Sequence, residues 1–430
     1  MFDKEWYFPG ESADDGPGVL RPSERQYLRE LARRWKDLCQ QSSGGNAEKI
    51  ELWKRHNALR PTRPLLLVFP EGGWTEIVPE DSLISGDPFW RRYECYLRRE
   101  VFRLEHFQDD TVPECVLKVR RVVRNSGWGM SPRRSYAASG MWKADPPLKR
   151  PEDIEALRPI EYQIDHAETD RRLTAVGEAF ADRIPVAEWV NYADPYPGII
   201  PFIIRLRGQE QLLFDMIERP DWVHRLSAFL QRAILTQMDR FEQGGKLAAN
   251  NGNHYVGTGG IGYTDELPSA GYDGRMRYRD LWGHAQSQDY TCVSPAMYKE
   301  FALDYLRPIL ARFGLTCYGC CEVLDDKFDA VKEIANLRRV SVGPLTNVER
   351  AAEALGRRYV FSWKPNPAHL IGSFNEERVE AYIRHTLEVT RGCCMEMILK
   401  DTHSCEGHPE RFAQWLNVAR RACARAGVGD

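Results

Sequence analysis

Two short stretches of the chain concentrate side chains that bind soft metal ions. Cys320, Cys321 and Glu322 follow one another, and His403 and Cys405 stand together much later in the chain. Thiolate, imidazole and carboxylate donors suit Zn²⁺ better than they suit hard cations. Neither stretch alone has the close spacing of a self-contained zinc motif, so a metal site requires a fold that joins the two. Alternatively, Cys320 and Cys321 are small buried apolar residues, as free cysteines often are.

A second group of polar and aromatic side chains follows segments that are predicted to be strands. Lys364 stands in a proline-stiffened loop, where its cation could hold a substrate carboxylate, although a solvated lysine is the simpler alternative. The candidates for substrate binding are Glu71, Trp74, Tyr192, His254, Gln286 and Gln288. Each of these could equally hydrogen-bond a loop or, for the tryptophan, pack in the core.

The elements that must position these residues alternate between strands and helices, which is typical of parallel βα units. Amphipathic helices are predicted at 166–182 and 221–243 and between the later strands. The predicted strands are 64–69, 115–123, 185–190, 247–250, 315–318, 339–342, 359–363 and 395–400. Eight such strands predict an α/β fold, a closed (β/α)8 TIM barrel with an N-terminal helical extension and long loop insertions. An open doubly wound sheet is the alternative.

The predicted domain organisation is a helical extension followed by one barrel. Residues 1–60 show helical periodicity without a core of their own, and residues 61–430 form the barrel. The main insertions are predicted at 71–107, 125–157 and 254–289. Catalytic groups of TIM barrels gather where the strands end, so we expect the candidate residues at one mouth.

Two other motifs are interpreted as structural or accessory. Cys393 and Cys394 precede the last predicted strand, which places them at its far end as packing residues. The glycine-rich run 257–262 is followed by Pro268 rather than by a helix. This argues against a phosphate-binding loop and favours a flexible lid or substrate loop.

Composition excludes several classes of protein. The 59 Lys and Arg residues nearly balance the 62 Asp and Glu residues, so no basic field is available to bind nucleic acid. No apolar run approaches the length of a membrane span, and the N-terminus lacks the pattern of a secretion signal. We therefore expect a cytoplasmic protein whose 11 cysteines are free thiols or metal ligands rather than a disulfide framework.

Three motifs of the chain resemble the uroporphyrinogen-decarboxylase-like superfamily, most clearly over residues 281–422. The motifs are Tyr318-Gly-Cys-Cys-Glu322, Val360-Phe-Ser-Trp-Lys-Pro-Asn-Pro367 and Lys400-Asp-Thr-His-Ser-Cys405. In the methyltransferase branch of that superfamily, zinc is bound by a His-x-Cys after one barrel strand and by a Cys after the last. The resemblance implies Cys320 and Cys405 as zinc ligands. Tyr318 stands where the family has histidine, so Cys321, Glu322 or His403 would complete the zinc shell.

The function implied by this resemblance is a zinc-dependent methyltransferase or demethylase. It would move a methyl group between a small substrate and a corrinoid carrier or a thiol, with zinc as the Lewis acid. The corrinoid would belong to a separate partner protein, because too little chain follows the last strand for a corrinoid domain. Glu322, Lys364 and His403 are the candidate catalytic residues. The alternatives are a cofactor-independent decarboxylase or lyase acting on a small carboxylated substrate, and a binding protein with a degenerate site.

Overall fold

The computed structural model describes residues 16–130, 133–136, 142–190 and 198–427. Its strands are β1 (Leu65–Val68), β2 (Leu117–Arg120), β3 (Val123–Asn125), β4 (Arg133–Tyr136), β5 (Trp142–Asp145), β6 (Tyr162–Ile164), β7 (Val186–Trp189), β8 (Tyr255–Val256), β9 (Gly260–Ile261), β10 (Trp282–Ala285), β11 (Leu315–Tyr318), β12 (Leu337–Val342), β13 (Val360–Trp363) and β14 (Cys394–Leu399).

The α-helices are α1 (Pro22–Ser42), α2 (Asn46–Asn57), α3 (Trp74–Ile77), α4 (Pro88–His106), α5 (His166–Phe180), α6 (Ile200–Arg207), α7 (Gln209–Glu218), α8 (Pro220–Gln243), α9 (Pro295–Tyr298), α10 (Asp304–Leu310), α11 (Phe328–Val331), α12 (Val348–Leu355), α13 (Glu376–Val389) and α14 (Glu410–Arg425). A π-helical turn, Lys299–Leu303, joins α9 to α10. None of the helices in the described ranges has the length and apolar composition of a membrane span.

Six strands form one parallel sheet in the order β1, β14, β13, β12, β11, β10. Every residue of β1 and β13 is buried, as expected of parallel strands that are covered on both faces. The first and last strands are neighbours, with Leu65 opposite Glu396 and Val68 opposite Leu399. Because the strands are parallel, their six carboxyl ends lie along one edge of the sheet.

The remaining strands form four separate pairs. β2 and β7 are parallel, whereas β3 and β6, β4 and β5, and β8 and β9 are antiparallel. The mixed α/β architecture predicted from the sequence is confirmed.

The helix-facing side of the large sheet is apolar. Val340, Phe361 and Met397 belong to one hydrophobic cluster that also contains Ile383 of α13 and Trp415 of α14. These side chains alternate along their strands with residues that point to the opposite side. We call that opposite side the inner face.

The inner face carries a buried network of charged and polar groups. The Glu396 carboxylate forms an ion pair with Arg339 at 2.9 Å and contacts His56 Nε2 at 3.1 Å and the Ser362 hydroxyl. Arg339 also donates to the side-chain oxygen of Asn57 at 2.7 Å. His56 and Asn57 both come from the end of α2, so this helix is anchored to the sheet through buried polar contacts.

Residues 255–261, which we call the tongue, pack directly on the inner face. A Cβ added to Gly257 would lie 2.7 Å from Cβ of Cys317, and one added to Gly260 would lie 2.3 Å from Cζ of Arg339. Gly257 also adopts a φ of +67°, a region that favours glycine. The expectation that this glycine-rich run forms a flexible lid is therefore wrong, because its glycines allow close packing against the sheet.

The sequence prediction of the fourth strand is also wrong. Residues 247–250 are irregular, and the strand is β10, inside a segment predicted to be an insertion. Gly283 of β10 faces Phe313, since a Cβ there would lie 2.3 Å from Cγ of that ring. Asn250 instead borders β10 through its side chain, which donates to the Trp282 carbonyl and accepts from the Trp282 amide, each at 2.9 Å.

The other predicted elements are close to those observed. The strands predicted at 315–318, 339–342, 359–363 and 395–400 correspond to β11–β14. The helices predicted at 166–182 and 221–243 correspond to α5 and α8.

Candidate functional site

The carboxyl-terminal edge of the large sheet brings together two thiols, a lysine and two carboxylates. Cys320 and Cys321 leave β11, and their sulphurs are 3.4 Å apart. The Lys400 ammonium, which follows β14, lies 3.9 Å from Cys320 Sγ, 2.8 Å from Asp401 Oδ1 and 4.0 Å from Glu71 Oε1. Cys321 Sγ is 3.1 Å from Asp401 Oδ2. We call these five residues the thiol–lysine cluster.

Unusual backbone conformations shape the loops that carry this cluster. Glu71 has a φ of +49° and Asp401 a φ of +59°, a left-handed region that is uncommon for residues other than glycine. Gly319 turns the chain out of β11 with a φ of +94°. The loops after β1 and β14 touch, because a Cβ on Gly72 would lie 2.6 Å from the His403 carbonyl oxygen. Such strained conformations are often found at functional sites.

The electrostatics of the cluster favour a thiolate on Cys320. A hydrogen bond from Cys321 lowers the pKa of Cys320 against the effect of burial, and the Lys400 cation lowers it further. The same hydrogen bond raises the pKa of Cys321 well above its usual range. Burial disfavours the Lys400 charge, but the surrounding anions outweigh it and raise the pKa of Lys400. The cluster therefore holds a buried thiolate beside a thiol and an ammonium group.

Glu322 supports the cluster through the backbone. Its carboxylate accepts from the amide of Ser287 at 2.9 Å and from the amide of Cys320 at 2.6 Å. Burial raises the pKa of Glu322. Glu322 thus ties the loop after β10 to the loop after β11, and we assign it a positioning role rather than the predicted catalytic one.

Tyr318, which stands in place of the family histidine, does not contact the thiols. Its hydroxyl donates to Ser287 Oγ at 2.9 Å and lies 2.6 Å from the Tyr298 hydroxyl. Tyr318 is buried on the helix-facing side of the sheet. It therefore belongs to the frame around the cluster.

Lys364 is buried on the inner face. Its ammonium donates to the carbonyl and hydroxyl of Ser362, which in turn contacts Glu396. Burial lowers the pKa of Lys364 to about 8, with Glu396 opposing and Lys400 adding to the decrease. This lysine is not the solvated residue of the simpler interpretation.

The two predicted site residues after β14 have different surroundings from the cluster. The Cys405 thiol donates to Glu76 Oε2 at 3.2 Å, and the Cys405 amide donates to Glu76 Oε1 at 3.1 Å. Burial and Glu76 raise the pKa of Cys405 to about 11. The His403 side chain is exposed.

The predicted zinc ligands Cys320, Cys321 and Cys405 do not converge on one point. No group of three or more His, Cys, Asp and Glu residues within the described ranges is arranged to hold a metal ion. Lys400 provides the positive charge among Cys320, Asp401 and Glu71. The donor set, as arranged, does not fit the predicted zinc ion, and we derive no step through a metal.

The predicted substrate-binding residues are distributed over several places. Trp74 is buried in an aromatic group, 6.0 Å from the Phe102 ring centroid. Tyr192 lies outside the described residues. Burial lowers the pKa of His254 to about 4, and its charged neighbours are Lys118 and Glu114, which lie at the start of β2 rather than in the cluster.

Two glutamines follow β10. Gln286 is 3% exposed, and its side-chain oxygen has no hydrogen-bond partner. Gln288 is half-buried two residues further on. Gln286 follows the inner-face residues Trp282 and His284 with the alternation of a strand, so it is the predicted substrate residue whose position best suits a site beside the cluster.

Sequence reasoning missed Lys400 and Asp401 as site residues. The available signal was their position directly after a buried strand, the same rule that selected Glu71 and Lys364. The sequence could not show that Lys400 turns inward to Cys320.

Comparison with known proteins gives one structural similarity. No protein-family model matches the chain, and no curated protein is similar to it. Among solved structures, the chain is similar to a methyltransferase from Methanosarcina mazei, at 11% sequence identity and a TM-score of 0.49. The similarity covers 85% of this chain and 96% of that chain.

Proposed function

We propose that this protein is an enzyme that transfers a methyl group between a small substrate and a thiol or a corrinoid carrier, with Cys320 as its essential sulphur. The observation that carries the proposal is the buried Cys320 sulphur, 3.4 Å from the Cys321 sulphur and 3.9 Å from the Lys400 ammonium. The pKa of Cys320 is lowered in this setting. Enzymes of this type need a group that activates a thiol at neutral pH, and a stabilised thiolate provides one.

We also propose that the large sheet is part of a closed eight-stranded barrel. β1 lies beside β14, and the parallel pair β2 and β7 supplies the strands needed between β1 and β10. The contact between Lys400 after β14 and Cys320 after β11 supports strong curvature, because two strands lie between them. In a flat sheet with strands about 4.8 Å apart, these strand ends would be separated by roughly 14 Å.

In the proposed step, the Cys320 thiolate takes the proton of an acceptor thiol. The resulting acceptor thiolate attacks the methyl carbon of the donor, so a carbon–sulphur bond forms while the bond between donor and methyl group breaks. The electron pair of that bond stays with the donor. Lys400 stabilises the anionic state of the cluster, and the proton on Cys320 later passes to solvent.

Zinc and a corrinoid partner are implied by the family resemblance and are tested separately. Metal analysis of the purified chain decides the first. One equivalent of zinc that is lost in both Cys320→Ser and Cys405→Ser would establish the zinc-dependent form of the enzyme. The observed pairing of Cys405 with Glu76 favours a chain that binds no stoichiometric zinc through Cys405.

A second candidate function is supported by the two buried lysines. Lys364 and Lys400 are both nearly inaccessible, and each influences the pKa of His284 across the inner face. Two such cations suit a substrate that carries a carboxylate, as in the decarboxylase or lyase alternative.

The two functions are separated by their products. The purified chain is incubated with methylated donors and thiols in one series and with small carboxylates in the other, and methyl thioether and CO₂ are quantified. Methyl thioether formation that depends on Cys320 supports the proposal. CO₂ release that is lost in Lys364→Met but retained in Cys320→Ser would replace it with the decarboxylase.

A further inference from the structure

The methyl-transfer proposal uses one sulphur, yet two adjacent thiols meet at the cluster. Cys320 and Cys321 are both free, and Cys321 is the more accessible of the two. Their sulphurs are in contact at 3.4 Å. The second thiol therefore has a partner within reach of a covalent bond, and this needs its own explanation.

We propose that Cys320 and Cys321 form a reversible oxidation site, at which a hydroperoxide converts the two thiols to a vicinal disulfide and so withdraws the essential sulphur. The effect on activity rests on the proposed function, whereas the oxidation itself does not. The proposal depends on the geometry of three groups: the two sulphurs and the Lys400 ammonium, 3.9 Å from Cys320 Sγ.

The chemistry takes two balanced steps. First, the Cys320 thiolate attacks one peroxide oxygen, so a sulphur–oxygen bond forms, the oxygen–oxygen bond breaks, and the released hydroxide or alkoxide takes up a proton from solvent. Second, the Cys321 sulphur attacks the Cys320 sulphur of this sulphenic acid. The sulphur–sulphur bond forms, and water leaves with the Cys321 proton. Two electrons pass from the thiols to the peroxide.

Each neighbour of the pair favours this sequence. Lys400 stabilises the thiolate that reacts with peroxide, because a nearby cation promotes the ionised form. Asp401 Oδ2, 3.1 Å from Cys321 Sγ, accepts a hydrogen bond from the resolving thiol and keeps it beside Cys320. Adjacency in the chain also keeps the second step intramolecular.

The disulfide is expected to be easily reduced. Adjacent α-carbons are about 3.8 Å apart across a trans peptide. Ordinary disulfides join α-carbons that are about 4.4 to 6.8 Å apart, and departures from that range store strain. Strained disulfides are the labile and regulatory ones, so a small dithiol should restore both cysteines.

Two other cysteines serve as internal references. Cys405 donates to Glu76, which holds its pKa at about 11 and keeps its thiol protonated. Cys292 is exposed on the surface. Neither has the cation and the adjacent thiol that the proposal requires, so neither should form an intramolecular disulfide at low peroxide.

The first experiment needs no variant. The full chain is treated with hydrogen peroxide, alkylated and digested with trypsin, and the peptide 313–327 is examined by mass spectrometry with fragmentation. We expect this peptide to lose two hydrogen atoms and to resist alkylation, and dithiothreitol to reverse both changes. Peroxide treatment that leaves Cys320 and Cys321 fully alkylatable would overturn the proposal.

Variants locate the bond. The same peptide contains Cys317, so Cys317→Ala is the matched control and should still form the disulfide. Cys321→Ser should form none, and a dione probe should capture a sulphenic acid on Cys320 instead. A disulfide that disappears in Cys317→Ala would show that the pair was assigned wrongly.

Activity distinguishes this inference from the proposed function. If methyl transfer occurs, oxidised protein should show at least about ten-fold lower activity, recovered with dithiothreitol. A disulfide that forms in a chain without methyl-transfer activity would refute the proposed function alone. Full activity in a preparation whose disulfide has been verified would refute the regulatory role.

Discussion

The ammonium of Lys400 lies 3.9 Å from the sulphur of Cys320, although two strands separate β14 from β11 in the sheet. The two residues meet because both turn toward the inner face at the carboxyl-terminal edge. This contact places a cation beside a thiol in a site that is largely closed to water. Coulombic attraction is stronger there than at the surface, so the contact determines the ionisation of Cys320.

The first prediction concerns the pKa of Cys320. Loss of the Cys321 hydrogen bond in Cys321→Ala, or of the cation in Lys400→Met, should raise this pKa by about one unit or more. Alkylation of Cys320 near neutral pH should then be about ten-fold slower, because the thiolate is the nucleophile. The measurement is the alkylation rate against pH, followed at Cys320 by mass spectrometry.

The exposed Cys292 is the internal control for that experiment. Its alkylation profile should be the same in wild type and in both variants. Profiles for Cys320 that coincide in all three proteins would mean that neither neighbour controls its ionisation.

The second prediction concerns Glu322 as a positioning residue. In Glu322→Gln, one side-chain amide group must face a backbone N–H donor of Ser287 or Cys320. We expect a loss of about 1–3 kcal/mol in the free energy of unfolding, measured by denaturant titration. We also expect an altered alkylation profile of Cys320, which a purely structural role far from the cluster would not produce.

Glu353→Gln is the matched control for Glu322, since Glu353 is exposed on α12. It should change the free energy of unfolding by no more than about 0.5 kcal/mol. Equal effects of the two substitutions on stability and on Cys320 would contradict the positioning role.

The third prediction concerns the pH dependence of the buried network around Glu396. Burial opposes the Glu396 charge, but Arg339 and His56 outweigh it and hold the pKa of Glu396 well below its usual range. This contribution to stability is complete above the unfolded pKa of about 4.3 and is lost as the pH falls. Burial also opposes the charge on His56, yet Cys394 and Glu396 raise its pKa to about 9.

Stabilisation by the His56 charge is therefore complete below about pH 6.5 and is lost as the pH rises toward 9. The difference in unfolding free energy between wild type and His56→Gln should be greatest between about pH 4.5 and 6.5 and fall by up to about 3 kcal/mol toward pH 9. His385→Gln, which removes an exposed pair with Glu349, should show no such change. A difference for His56→Gln that is independent of pH would exclude a charged His56.

The fourth prediction concerns the packing of the tongue. Gly260→Ala would place a Cβ 2.3 Å from the Arg339 guanidinium, which is buried and fixed by Glu396. We expect a loss of about 1–3 kcal/mol in unfolding free energy from the overpacking. Gly177→Ala, in α5 with no atom within 4 Å of the added Cβ, should instead be neutral or stabilising. Equal stability of the two variants would indicate a tongue that is loosely packed.

Much of the fold could be predicted from the sequence because its strands are short apolar runs between amphipathic helices. β11 to β14 have that pattern and were predicted to within two residues. β10 was missed because Trp-Gly-His-Ala lacks β-branched residues, and its glycine is required by the nearby Phe313 ring rather than by a turn. The tongue was misinterpreted for the same reason, since glycines that allow close packing resemble glycines that allow flexibility.

The site was predicted in part. The rule that functional groups follow the strands selected Cys320, Cys321 and Glu71, which do meet. It also selected Cys405, whose sulphur is held by Glu76 on α3, a contact that no local pattern announces. Lys400 was missed because only the three-dimensional course of β14 directs its side chain to Cys320.

The most direct test of the account compares methyl transfer in wild type, Cys320→Ser and Cys405→Ser. Each full-length protein is mixed with a methylated corrinoid and a panel of small thiols, and the cobalt absorption spectrum is followed together with the methyl thioether product. We predict that wild type and Cys405→Ser transfer the methyl group at similar rates, whereas Cys320→Ser is slower by at least about a hundred-fold, as expected for loss of a catalytic base. Transfer by Cys320→Ser at the wild-type rate, or no transfer by wild type with any thiol of the panel, would contradict the account.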